Sequence, residues 1–536
     1  MRYIPNQSML FRTLLIFGFL LTGCTMVGPD YVRPPVKVSQ NWMESYDQRV
    51  KQEQSENRNW WQVFNDPILN GLIEKAYLNN LSIKVAGVRV LEARAQLGIA
   101  TGELYPQTQQ AFGTLQYYRL SDRAPQSAFQ QAATHQSASS SKYWQSEIGL
   151  TASWEIDFWG KFRRAIESAD ASLAATIADY DSALVSLTGD VASSYVLIRT
   201  LEKRLDIARQ NAETQKENLK IVEVRLKYGT TSELDLEQAK TSLNNTLASI
   251  PALETRLQQA KNSLNVLLGL PPGHLEDILQ GTSEIPVSPP HVVVGIPTDL
   301  LRQRPDVRSA EYQAAAQCAQ IGAVKADLYP AFSLSGTFGF LSSDVGTFKL
   351  TDMFRWKSRT LQAGPSFQWN IFNYGRITNN VRVQDARFEQ LLITYQNTVL
   401  KAQQEVEDSL IAFLRGQEQA DFLAQAAEAA RKSLNLAVRQ YREGVKDFTT
   451  VLVAQQALLN EQDNLVTTLG NISTNLVGVY KALGGGWEVR ERMDLVPPEI
   501  KEEMAKRTNW GKLLAPASYN PLPLEEPKSL IRFPDW

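Results

Sequence analysis

The chain has 536 residues, of which 43% are hydrophobic and 21% charged, and its formal net charge is −2. That balance is ordinary for a folded protein and lacks the basic excess a nucleic-acid binder needs. Three histidines and two cysteines, Cys24 and Cys318, lie far apart, which argues against a structural metal site, whose ligands need short spacings.

The N-terminus carries Arg2 and Arg12 around a polar start, followed by the apolar run TLLIFGFLL, 13–21. About nine apolar residues fall short of the ~20 that span a bilayer, so residues 1–23 are expected to be an export signal. The run closes on LTGC, 21–24, which resembles the bacterial lipobox. The resemblance implies that Cys24 becomes the mature N-terminus and carries S-diacylglycerol and N-acyl lipid. Thr25 in place of aspartate implies sorting to the outer membrane. Residues 24–58 are rich in proline, charge and turn residues and are expected to pack irregularly around the middle of the molecule.

Two copies of one unit follow, at 59–270 and 298–486. WEIDFWGK (154–161) aligns with WNIFNYGR (369–376), placing Trp154 on Trp369 and Gly160 on Gly375. The same shift places Gly229 on Gly444 and Ala239 on Ala454. Between the copies, 271–297 contains six prolines and reads as an extended connector. Residues 487–536 are expected to form a second irregular segment.

Each copy is predicted to run helix, strand, loop, strand, long helix, long helix. The first helices are expected at about 66–103 and 298–327, and the long pairs at about 161–227 with 232–267 and 376–442 with 448–483. A helix of some 67 residues is roughly 100 Å long at 1.5 Å per residue, and only neighbouring helices sustain such a length. Leu173, Ile177, Tyr180, Leu184, Leu187, Val191, Tyr195 and Ile198 step by threes and fours, close to the coiled-coil spacing.

Strands are expected at about 107–120, 145–159, 330–341 and 361–374. Ile148, Leu150, Ala152, Trp154, Ile156 and Phe158 alternate with Gly149, Thr151, Ser153, Glu155 and Asp157. Phe332, Leu334, Phe338 and Phe340 alternate with Ser333, Ser335, Thr337 and Gly339. Less cleanly, the first strand carries Phe112, Leu115, Tyr117 and Tyr118. One apolar and one polar face over about ten residues is the pattern of a membrane barrel. Leaving six such side chains in water costs ~9–18 kcal/mol at ~1.5–3 each, and the long helices already use their apolar faces on each other. Lipid is the available cover. Four strands do not close a barrel, and open edges are not tolerated in hydrocarbon, so several copies are expected to pool strands.

The motifs CTMVGPDYVRPP (24–35), WWQVFNDPILNGLIEKAYLNN (60–80), WEIDFWGK (154–161) and PTDLLRQRPDVRSAE (297–311) resemble the TolC/OprM family of outer-membrane efflux lipoproteins, in its NodT-type subgroup. The resemblance covers nearly the whole mature chain. It implies an α+β membrane protein: a homotrimer whose twelve-stranded β-barrel, four strands per chain, continues into a periplasmic α-helical barrel. It also implies a periplasmic adaptor protein and an inner-membrane pump of the resistance-nodulation-division type as partners, with small molecules leaving through the channel.

The resemblance further implies a periplasmic gate where the long helices turn, at Gly229 and Gly444, held closed by polar links between the two turns. Asp235, Tyr441 and Lys446 match the family's gate positions. Lys446 replaces the usual arginine, a point charge in place of a bidentate fork, and Thr450 and Val453 replace acidic residues that ring the pore in the TolC branch. No constellation for catalysis or metal binding emerges from the sequence. A coiled-coil tether needs no lipid-facing strands, whereas a channel for type I protein secretion stays open as the alternative. Cys318, in AAQCAQIGA, reads as a small residue at tight helix packing.

Overall fold

The computed structural model describes residues 26–51, 57–119, 142–273, 275–281, 284–295, 297, 303–344, 349–490 and 493–515. The expected signal segment, Cys24, Thr298 and most of the first strand-to-strand loop lie outside the described residues.

Asp66 starts the first helix, α1 (Pro67–Asn79), by accepting from the N–H groups of Ile68 and Leu69, with Pro67 at the position where a missing N–H costs nothing. The single helix expected over 66–103 is two helices. Asn80 takes an extended ψ of 124° and caps α2 (Leu81–Glu103) by accepting from Ile83 N–H, while its amide donates to the Leu267 carbonyl. An asparagine that bonds its own backbone offers an alternative to helix continuation, and a tertiary acceptor for its amide holds the break.

Two helices of 67 residues, α3 (Lys161–Lys227) and α6 (Arg376–Arg442), each turn into a helix of 35, α4 (Glu233–Leu267) and α7 (Phe448–Ala482). α5 (Pro305–Lys325) packs on α3 and α6, and α8 (Pro498–Arg507) covers α2. Pro251 sits inside α4, where a missing N–H leaves a carbonyl one turn back unpaired; Val466 is its counterpart in α7 by the repeat offset. The main core lies midway along the long helices, around Trp60, Tyr195, Phe413 and Leu476. A second, smaller core at the helix turns gathers Val222, Leu434, Tyr441, Phe448 and Val451.

Strands β1 (Thr108–Arg119), β2 (Lys142–Ile156), β3 (Ala331–Ser343) and β4 (Arg359–Gln368) form one antiparallel sheet in the order β1-β2-β3-β4. β4 is shorter than expected: past Gln368 the chain turns, with Ile371 N–H on the Trp369 carbonyl and Arg376 N–H on that of Asn373. The two copies make the same tertiary bond here. Trp154 Nε1 donates to the Leu104 carbonyl and Trp369 Nε1 to the Leu328 carbonyl, both at 3.0 Å.

Both strand-to-helix crossings use a left-handed glycine, Gly160 and Gly375, each at φ +78°. Their surroundings differ. A Cβ on Gly160 would lie 2.6 Å from Met26 Cγ, whereas one on Gly375 meets only Asn379 at 3.5 Å. Gly375→Ala is therefore expected to cost only the backbone term of ~1–2 kcal/mol, and Gly160→Ala clearly more, read as the difference between their thermal unfolding midpoints. Equal midpoints would contradict the packing of Met26 on Gly160.

Candidate functional site

The register sorts the sheet into two faces. Ile148, Leu150 and Ile156 oppose Phe340, Phe338 and Phe332, and Phe338 and Phe332 oppose Leu361 and Phe367, so one face is apolar across three strands. That face is uncovered in the single chain: Leu150 is 61% exposed and Leu361 75%. The other face carries Thr151 and Thr337, whose hydroxyls meet at 3.1 Å, with Gln145, Ser153, Ser335 and Gln362. In β1 the four aromatic and aliphatic side chains divide between faces. Leu115 and Tyr117 share the apolar one, opposite Ser146 and Trp144, whereas Phe112 and Tyr118 lie on the polar one, opposite Gly149 and Tyr143. Gly149 faces Gly339 on β3, and a Cβ on Gly149 would touch the Phe112 ring, so the glycines leave room for that ring against the wall.

Aromatic and charged groups mark the lower rim of the sheet. Trp159 stacks on Tyr329 at 4.7 Å between ring centres and donates Nε1 to the Pro330 carbonyl at 2.9 Å. Lys161 pairs with Asp327 at 3.0 Å and Arg163 with Asp157 at 2.9 Å. This is the composition of a membrane–water interface.

The segment after Cys24 docks at the same rim. Val27 N–H bonds the Trp159 carbonyl at 3.0 Å, Arg164 pairs with Asp30 at 2.7 Å, and Arg33 forms a two-point ion pair with the buried Glu311. Cys318 is buried, its Sγ 3.7 Å from the Pro29 carbonyl, and burial pushes its thiol up to about 11, away from the thiolate that reacts.

The motif 297–311 proves to be a junction of both copies with the C-terminal segment. Arg304 donates to the Ala482 carbonyl at the end of α7, at 2.6 Å, and to Glu405 on α6, at 2.8 Å. Arg308 reaches Asp181 on α3 at 2.7 Å, and Arg490 binds the same carboxylate. Burial pushes the Asp181 carboxyl up, against the pull of Arg490 and Arg308. Both guanidiniums lie on the Trp487 ring, 4.8 and 5.5 Å from its centre.

At the far end, both turns close by the same bonds. Gly229 and Thr230 N–H return to the Leu226 and Arg225 carbonyls, and Gly444 and Val445 N–H to those of Tyr441 and Gln440. Gly229 and Gly444 supply the positive φ, +69° and +75°, that this motif requires. Of the residues expected at the gate, Asp235 and Tyr441 are brought together through Thr231. Thr231 donates to the Asp235 carboxylate at 2.6 Å and lies 3.2 Å from the Tyr441 hydroxyl. Asp235 also closes a capping box with Ser232. Burial raises its pKa, but the bonds from Thr231 and Ser232 and the nearby Arg225 outweigh it and hold the carboxyl below its ordinary range.

The expected pairing of Asp235 with Lys446 is not formed within the chain: Lys446 is exposed, and the Asp235 carboxylate is engaged by Thr231 and Ser232. The cation that reaches Tyr441 is Arg225, which lies four residues before Gly229 in the last turn of α3. A basic residue facing a helix C-terminus is a sequence signal, but its partner lies 216 residues away.

Long antiparallel helices joined through left-handed glycines to a sheet with one bare apolar face define an outer-membrane channel protein. The chain belongs to the outer membrane efflux protein family, whose model matches residues 72–270 and 296–485. It is similar to the solvent efflux pump outer membrane protein SrpC of Pseudomonas putida, 31% identical over 90% of this chain and all of that protein. It is also similar to the pyoverdine export outer membrane protein OpmQ of Pseudomonas aeruginosa, 32% identical over 88% of this chain and 96% of that protein. The probable outer membrane lipoprotein SilC of Salmonella typhimurium is 28% identical over 88% of this chain and 97% of that protein. Among solved structures, the outer-membrane channel OprN superposes with a TM-score of 0.78 at 29% identity, covering 86% of this chain and all of that one. The protein is an efflux channel of the outer membrane.

Proposed function

We propose that three copies assemble so that β4 of each meets β1 of the next, giving a closed twelve-stranded barrel above a tunnel of long helices. The observation that carries this reading is the sheet itself: its apolar face is exposed, and among the described residues both edge strands, β1 and β4, have no second neighbour. An apolar face calls for lipid as its cover, and open strand edges are not tolerated in hydrocarbon. The polar face then lines an aqueous bore. A periplasmic adaptor and an inner-membrane pump of the resistance-nodulation-division class load the tunnel from below, and small organic molecules leave through it. SrpC, by its name, serves a solvent efflux pump, and likeness over nearly the whole of both chains favours small-molecule efflux over protein secretion.

Two measurements test the assembly and its traffic. Detergent-solubilised protein should have the mass of three chains, and a deletion strain should become more sensitive to dyes, detergents and organic antibiotics. A monomer stable in detergent-free buffer overturns the assembly; unchanged sensitivity together with loss of a secreted protein favours the secretion channel.

We also propose that Cys24 is acylated. Residues 26–33 dock at the strand–helix rim, which supports a lipid anchor just upstream of them. Cys24→Ser is expected to abolish palmitate labelling and to lower the N-terminal peptide's mass by its acyl chains. Labelling that persists in the variant overturns the assignment.

A further inference from the structure

Arg225 joins the two helical hairpins at the tip. Its guanidinium lies 4.6 Å from the centre of the Tyr441 ring. Nη1 donates to the Tyr441 carbonyl, and Nη2 reaches back to the Thr230 carbonyl at 3.4 Å. The Tyr441 carbonyl belongs to the last turn of α6, where partial negative charge gathers, so the arginine of one hairpin neutralises the end of the other. A second link runs beside it. Thr231 gives its only proton to Asp235, so the Tyr441 hydroxyl donates to Thr231. Tyr441 is thus held at ring, carbonyl and hydroxyl, all by the first turn, and is 4% exposed. The repeat does not mirror this arrangement: Arg225 aligns with Gln440, and Tyr441 with Leu226. Among the described residues Arg225 Nε is buried without a partner, so the contact leaves one donor unsatisfied, which lowers the cost of letting go.

We propose that Arg225 is the latch of the periplasmic tip, a positioning residue that holds Tyr441 and with it the α6–α7 hairpin against α3–α4, and that its release opens the tunnel. The proposal rests on the channel reading above.

The test is single-channel recording of the full-length protein in planar bilayers, with the thermal midpoint of each variant measured in parallel. Loss of one charged hydrogen bond implies that Arg225→Ala raises the open fraction roughly tenfold or more. Arg225→Lys keeps the charge but loses the fork and the planar stack, so it should behave like the alanine variant. Tyr441→Phe keeps ring and carbonyl and removes only the Thr231 link, so its rise should be smaller. An unchanged or lower open fraction in Arg225→Ala, at a wild-type thermal midpoint, overturns the latch. If Arg225→Ala does not assemble, Arg225→Lys decides by the same criterion, since its alkyl stem keeps the packing. Absence of conducting events in wild type as well as in every variant removes the channel reading itself, and the latch with it.

Discussion

Asp181→Ala is expected to destabilise the protein by ~3–5 kcal/mol, the range for breaking a buried ion pair by removing one partner. Asp181 is 1% exposed, and its carboxylate is the shared acceptor of Arg308 and Arg490. Without it, two guanidiniums stacked on Trp487 lose the carboxylate they share. The cost is large because the charges left behind stay desolvated. Asp181→Asn retains the shape and some hydrogen bonding and should lose less. Asp181→Ala combined with Arg490→Leu should recover part of the loss, since it removes one of the two buried cations along with the acceptor they share. The thermal midpoint of purified protein reads all three. A wild-type midpoint for Asp181→Ala would show that the cluster does not tie α3, α5 and the C-terminal segment together.

Leu150→Arg is the second large effect, and it discriminates between the faces of the sheet. Leu150 sits in the interior of the 15-residue strand β2, opposite Phe338 and 61% exposed in the single chain. With lipid against that face, an arginine near the middle of the bilayer costs ~2–4 kcal/mol. Thr151→Arg, one residue on, lies on the polar face of the sheet. It loses the 3.1 Å contact with Thr337, worth ~0.5–1.5 kcal/mol, and keeps its charge in water. Urea titration of folding into lipid vesicles should rank Leu150→Arg well below Thr151→Arg. The opposite order would exchange lipid and lumen.

Both helical turns and both strand–helix crossings are made by glycine at positive φ, and in each pair one of the two is held by a distant segment while the other is not. At Gly160 the chain after Cys24 supplies the contact. At Gly444 the contact is Arg225, whose Nη2 lies 3.8 Å from where a Cβ would be.

The sequence by itself determined the features that repeat along the chain. Strict alternation over 148–156 set the two faces of β2, long proline-free stretches with apolar steps of three and four set α3 and α6, and the recurrence of Trp154–Gly160 at Trp369–Gly375 exposed the duplication. These are local periodicities, dictated by the pleat and the helical turn. Only the tertiary structure decided which side chains meet. Arg490 finds Asp181 across 309 residues and Arg225 finds Tyr441 across 216. Asn80 breaks a helix that periodicity alone would continue, because the Leu267 carbonyl is there to receive its amide. Phe112 and Tyr118 lie on the polar face of the sheet despite their apolar rings, because the register with Gly149 and Tyr143 places them there. Partner choice depends on which helices and strands become neighbours in space, and a period of two or 3.6 residues carries no record of that.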